Sequence, residues 1–144
     1  MNKFDISKLE KSVREVPDFP KPGIKFKDIT PILINPKLLA MSIEALASHV
    51  DSSSIDKIIG IDARGFIFGS LLSNLLGKGF IPVRKGGKLP WQTESQAYDL
   101  EYGKSVIEIH KDAIDPGERI LIVDDLLATG GTAEAAVQLV EKLS

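Results

Sequence analysis

The chain reads as α/β, a mostly parallel sheet flanked by helices. Short apolar runs at 57–61, 80–83 and 120–123 alternate with segments whose apolar residues recur at helical spacing. The last run, Ile120-Leu-Ile-Val123, is continuous and largely β-branched, the pattern of a strand buried on both faces, and it is expected inside the sheet and not at an edge. Two acids, Asp124 and Asp125, follow it directly, then Ala128-Thr-Gly-Gly-Thr132 and an Ala-rich helical segment. Parallel sheets bind ligands outside their strands' carboxyl ends, so this junction is the expected site.

Ile6, Leu9 and Val13 predict a helix over 6–16, with Ser7 as a candidate cap. Pro17-Asp-Phe-Pro-Lys-Pro-Gly23 ends it in a rigid extended segment, and 24–31 alternates apolar and polar residues as extended structure does. Asn35-Pro36 pairs a good cap with proline at the first helical position, and Leu39, Ile43, Leu46 and Val50 form that helix's expected buried stripe. Residues 51–54 form a turn, and 57–61 the next strand. Asp62-Ala-Arg-Gly65 leads into a helix over 66–76 closed by Gly77. Residues 80–83 form a third buried strand. The polar segment 84–103, with Gly86, Gly87, Pro90 and Gly103, is long for a compact domain and reads as a lid. Extended structure resumes at 104–110, and Asp115-Pro-Gly-Glu118 turns the chain into the 120–123 strand. The closing helix over 133–143 is expected to bury Ala136, Val137, Val140 and Leu143.

The totals bound the function. A chain of 144 residues predicts one domain with a real core, and 43% apolar residues is ordinary for a globular protein. A net charge of −2 argues against a surface that coats nucleic acid. With no cysteine, disulfides and thiolate metal sites are excluded, which fits a reducing compartment. The N-terminus has no apolar signal segment and no run reaches membrane-spanning length. The expectation is a soluble, cytoplasmic protein with no nucleic-acid or membrane partner.

The chemistry concentrates after Val123. Glycines at 130 and 131 let the backbone turn tightly and approach a ligand, Thr129 and Thr132 add hydroxyl donors, and the N–H groups of a helix start favour phosphate. Thr132 is also a candidate helix cap. Acids are wrong for phosphate; Asp124 and Asp125 suit ribose hydroxyls or a magnesium ion accompanying polyphosphate. A phosphate cradle beside two carboxylates points to a phosphorylated sugar. Arg64 stands at a strand-to-helix turn, and Arg84, Lys85 and Lys88 follow the next strand. Alone, each is a surface cation; together they form a candidate pyrophosphate clamp, the guanidinium groups giving bidentate contacts.

The stretch 119–132 resembles the phosphoribosyl-pyrophosphate (PRPP) motif of the type I phosphoribosyltransferases: apolar strand, two acids, two variable residues and Thr-Gly-Gly-Thr. The segments 16–31, Ile61-Asp-Ala-Arg-Gly-Phe66 and Leu100-Glu-Tyr-Gly-Lys104 resemble, more narrowly, the adenine phosphoribosyltransferase family. The resemblance implies a type I phosphoribosyltransferase-like parallel sheet over 1–144, with an N-terminal hood over 1–34 and a flexible lid. It implies that adenine and magnesium-PRPP give AMP and pyrophosphate, in purine salvage, by a homodimer. It also implies roles. Asp124 and Asp125 hold ribose hydroxyls and the associated Mg2+, with Asp124 the residue toward the metal. Ala128, Thr129, Gly130, Gly131 and Thr132 hold the 5′-phosphate, and Arg64 the pyrophosphate. Ile24, Phe26 and Lys27 in the hood, and Leu126 opposite, hold adenine. Glu101 handles the proton on adenine's imidazole ring. The Asp62–Ala63 bond is expected to be cis. Lys27 stands where many relatives carry arginine, and relatives continue past the motif helix, so the chain ending at Ser144 reads as truncated. The alternatives are a 6-oxopurine (xanthine or hypoxanthine) transferase and a non-catalytic PRPP-binding regulator.

Overall fold

In the computed structural model, which describes residues 5–100 and 103–144, helices begin and end at local signals, while the sheet departs from the sequence reading in two places. The chain divides into two compact units, Met1–Val50 and Asp51–Ser144.

In the first unit, α1 (Ile6–Ser12) is capped by Asp5, whose side chain accepts from the Lys8 N–H at 3.2 Å. Ser7 is not the cap; its hydroxyl donates to Asp5 at 2.7 Å. The helix is also shorter than expected. Val13 is extended, and Arg14–Val16 forms β1, antiparallel to β2 (Phe26–Asp28). Pro17 accounts for part of this, since the residue before proline is pushed out of the helical region. Two ion pairs tie the ribbon, Arg14 to Asp28 at 2.7 Å and Lys27 to Glu15 at 2.5 Å. After α2 (Thr30–Leu33), Asn35 caps α3 (Pro36–Ser48) by accepting from the N–H groups of Lys37 and Leu38. The buried residues of α3 are Leu38, Ile43 and Ala45, so its apolar face is rotated from the expected one, and Leu46 stays 40% exposed.

The second unit contains β3 (Lys57–Ile61), α4 (Arg64–Leu76), β4 (Gly79–Lys85), β5 (Thr93–Asp99), β6 (Lys104–His110), β7 (Ile120–Val123) and α5 (Gly131–Leu143). The sheet order is β5-β6-β4-β3-β7, with β4, β3 and β7 parallel and β5 and β6 antiparallel. The expected α/β architecture is present, its sheet parallel across β4, β3 and β7 and made mixed by the antiparallel pairings of β6 with β4 and β5.

Within the segment read as a lid, Thr93–Asp99 forms the strand β5, paired with β6 along its whole length from Thr93↔His110 to Asp99↔Lys104. Its sequence, Thr-Glu-Ser-Gln-Ala-Tyr-Asp, is polar because it is an edge strand with one face open to solvent. The second correction concerns β7, which lies at the other edge rather than centrally. Only Val123 is fully buried; Ile120, Leu121 and Ile122 are half-buried. Both α4 and α5 pack against this strand, so its apolar character reflects covered faces and not a hydrogen-bonded neighbour on each side.

Strand alternation divides the core. Ile59 and Ile61 of β3 join Ile81, Val83, Ile107, Ile109 and the α5 residues Ala135, Ala136 and Leu139 in one cluster. The buried residues of α5 are Ala135, Ala136 and Leu139, with Val140 and Leu143 packed against the cluster as expected, while Val137 is 44% exposed. Gly60 points to the opposite face, where α4 crosses closely: a Cβ at Gly69 would lie 3.1 Å from the Gly60 Cα. At the amino ends of β3 and β7, Lys57 bonds Glu118 at 2.8 Å and Arg119 bonds Asp56, which fixes the register Lys57↔Ile120.

A Cβ at Gly60 would lie 2.6 Å from the Phe80 ring and 2.8 Å from the Gly65 carbonyl. Gly60→Ala is expected to destabilise the fold by roughly 1–3 kcal/mol, the range for overpacking, measured by denaturant unfolding. An unchanged midpoint would show that the crossing is looser than this.

Candidate functional site

The carboxyl ends of β3, β4 and β7 open at one end of the sheet, as their parallel pairing requires. A cavity of about 500 Å³ lies there, a size suited to a small-molecule ligand. It is lined by the turn after β3 (Ile61, Asp62, Ala63, Arg64), by Lys85 of β4, by Tyr98, Ile107 and Ile122 of the sheet, and by 124–133.

The turn after β3 is held against the acidic strand end by a glycine contact. A Cβ at Gly65 would stand 2.9 Å from the Val123 carbonyl and 3.0 Å from Asp124 Oδ1. No larger residue fits without moving one of the two elements. The Asp62–Ala63 peptide is cis. Arg64 bonds Asp125 at 2.8 Å. This pairing distinguishes the two acids of the motif. The Asp125 side chain is only 8% exposed beneath Arg64, whereas Asp124 is the open one.

Asp124 has an unusual carboxyl. Its residue surface is largely open, but Oδ1 is crowded against Gly65 and accepts from the Asp125 N–H at 2.8 Å. Burial of the carboxyl pushes its pKa up to about 6, and the neighbouring Asp125 carboxylate adds to this. The Asp125 N–H and the Arg64 cation act in the opposite direction without overcoming it.

Residues 128–132 wrap the cavity. The helix α5 starts at Gly131, after Gly130 in the left-handed region (φ 86°). The start is two residues earlier than the expected 133, and Thr132 makes no side-chain cap; the expected cap is replaced by a glycine turn at Gly130. The Thr129 hydroxyl accepts from the Gly131 N–H at 3.4 Å. Leu126 lines the cavity and is 51% exposed.

The cations after β4 separate. Lys85 lines the cavity, but Arg84 and Lys88 do not. Arg84 bonds Asp62 at 3.1 Å and lies over the Phe66 ring, 5.9 Å from its centroid. The turn carrying Lys88 is tied to β6, where Glu108 accepts from the Gly87 N–H at 2.6 Å and from the Thr93 hydroxyl. Those two bonds, Thr93's first, hold the Glu108 carboxyl below its usual range. In the first unit, Ile24 is 43% exposed, Phe26 meets Phe19 edge-on at 5.2 Å, and Lys27 holds Glu15. Glu101 lies outside the described residues. Tyr98, which the sequence reading left unassigned, lines the cavity from β5.

Among the described residues no cluster of three His, Cys, Asp or Glu side chains gathers to hold a metal. A divalent cation shared with a polyphosphate needs only one or two carboxylates, and the crowded Asp124 carboxyl fits that use.

Residues 28–144 match the phosphoribosyl transferase domain family. The chain is 57% identical over 136 residues to the adenine phosphoribosyltransferase of Natranaerobius thermophilus, covering 94% of this chain and 80% of that protein. It is similar to the crystal structure of adenine phosphoribosyltransferase from Thermoanaerobacter pseudethanolicus, with a TM-score of 0.93, 54% identity and coverage of 96% and 80%. It is also similar to the Saccharomyces cerevisiae enzyme complexed with adenine and an imino-altritol bisphosphate, with a TM-score of 0.91, 45% identity and coverage of 95% and 80%.

The raised Asp124 pKa makes a stability prediction with a definite sign. The folded value, about 6, lies above the ordinary aspartate value of 3.8, so folding favours the protonated form. That contribution is full below about pH 3.8 and is lost as pH rises through about 6. Asp124→Asn should therefore raise the melting temperature relative to the parent at pH 7.5, and the difference should shrink toward pH 4. A variant less stable than the parent at pH 7.5 would contradict the crowding argument.

Proposed function

The chain belongs to the phosphoribosyltransferase family, among its adenine phosphoribosyltransferases, and we propose that the cavity between the β3 turn and the acidic strand end is where it transfers the 5-phosphoribosyl group of PRPP to adenine, giving AMP and pyrophosphate. The reaction serves purine salvage. The observation that supports this site is the convergence of Arg64, Lys85, Asp124, Asp125 and 128–132 on one cavity.

The residues divide the work by charge. The loop 128–132 offers backbone N–H groups and threonine hydroxyls to the 5′-phosphate. Asp124, ionised above about pH 6, accepts from ribose hydroxyls; Asp125 positions Arg64. Adenine N9 bonds to C1 of the ribose as the bond from C1 to the pyrophosphate oxygen breaks. Positive charge develops on the sugar and negative charge on the departing pyrophosphate, and no protein nucleophile is required. Arg64 and Lys85 on the cavity wall meet the departing charge. Arg84 and Lys88 reach it only by leaving their places outside the lining. Glu101 accepts the proton that adenine gives up. Leu126 contributes an apolar face for the base, with Ile24, Phe26 and Lys27 as the hood. Mg2+, with Asp124 as its protein-side partner, would neutralise PRPP's phosphates and orient them.

A homodimer and a cytoplasmic location belong to the same proposal. Among the described residues no helix is long and apolar enough to cross a membrane.

A purine panel with PRPP and magnesium, following pyrophosphate release, tests the reading. Adenine should be consumed and hypoxanthine and xanthine should not. Turnover of the 6-oxopurines would establish the related transferase, and PRPP binding without turnover a regulator. Glu101→Gln should lower turnover by roughly 10²–10⁴-fold while PRPP binding is largely kept, the scale of general acid–base catalysis. Asp124→Asn should instead raise the apparent KM for PRPP, and parental KM in this variant would remove Asp124 from the ribose.

A further inference from the structure

The sheet side of the cavity is mostly apolar, with Ile61, Ile107 and Ile122 among its lining, and Tyr98 is the aromatic exception. Alternation along β5 turns Tyr98 inward, and its ring packs against the core cluster that includes Ile107 and Leu139. The ring also lies on the start of α5: its Cδ2 is 3.8 Å from where a Cβ on Gly131 would be, and the neighbouring Asp99 carbonyl is equally close. One latch holds β5 in place from the far end of α5, where Lys142 donates to the Ser95 carbonyl at 2.7 Å. The ring is thus fixed by packing on two sides.

Its hydroxyl is different. Among the described residues it has no hydrogen-bond partner, nor is it an inaccessible buried atom. A tyrosine whose ring is packed in a core usually finds a partner for its O–H. Tyr98 lines the same cavity as Thr129, Gly130, Gly131 and Thr132. A phenol is a neutral donor able to make a short bond to an oxyanion.

We propose that Tyr98 is a further binding residue for the known reaction, its hydroxyl donating a hydrogen bond to the 5′-phosphate held by 128–132. This rests on the reading of 128–132 as the phosphate loop. The packed ring makes the donor rigid, so the strand β5 helps to define the phosphate position rather than merely flanking the helix. The role separates Tyr98 from Arg64 and Lys85, which meet the pyrophosphate end of PRPP.

The test compares AMP with adenosine, which differ by the 5′-phosphate, by calorimetric titration of the parent and Tyr98→Phe. The variant keeps the ring and its packing, so its melting temperature should match the parent's. AMP affinity should fall about 10-fold, the scale of one hydrogen bond to a charged group, while adenosine affinity is unchanged. The apparent KM for PRPP should rise with kcat at saturation retained. Equal loss for AMP and adenosine would assign Tyr98 to structure alone, and unchanged AMP affinity would overturn the inference. If the parent itself fails to prefer AMP over adenosine, the phosphate-loop reading fails with it.

Discussion

The contact that the site depends on is Gly65 against the end of β7. Two turns from different parts of the chain meet with no room for a Cβ, 2.9 Å from the Val123 carbonyl and 3.0 Å from Asp124 Oδ1. This closeness brings Arg64 within 2.8 Å of Asp125 and sets both beside the glycine-threonine loop. The same logic runs one layer deeper, where Gly60 and Gly69 let α4 settle onto β3 and so fix the height of the turn. Backbone approach, more than any side-chain pair, therefore assembles the cavity.

The approach also sets how the site's charges pair with one another. Arg64 is matched by Asp125 and Arg84 by Asp62, so two of the cations suited to pyrophosphate are held by acids at the strand ends. Asp124 is crowded enough that its carboxyl favours the proton until about pH 6. A ligand bringing both phosphates and hydroxyls suits this arrangement. Its anions compete for the arginines, and its hydroxyls or accompanying cation favour ionised Asp124.

Much of this was legible in the residues. The runs 57–61, 104–110 and 120–123 announce strands by their apolar or alternating pattern, and Asn35-Pro36 and Gly77 mark helix ends by local chemistry that tertiary contacts did not override. The acidic pair and the Thr-Gly-Gly-Thr loop stand out because their spacing has little other use. Three things were hidden. The strand β5 is polar, since only one of its faces is covered, and so it read as a loop. The edge position of β7 was invisible because helices cover its faces, which gives an edge strand the composition of a central one. The division of labour within Asp124-Asp125 depends on Arg64, sixty-one positions earlier than Asp125 in the numbering, and no local pattern encodes it. Tyr98 escaped for the same reason as its strand.

The central claim is that one cavity, assembled by the Gly65 contact, holds the phosphoribosyl group. A crystal structure of the protein with AMP tests it most directly. The account predicts the 5′-phosphate at the N–H groups of 128–132, the ribose hydroxyls at Asp124, and the base toward Leu126. A phosphate bound instead at Lys88 or elsewhere on the surface, with the cavity beside Gly65 vacant, would contradict it.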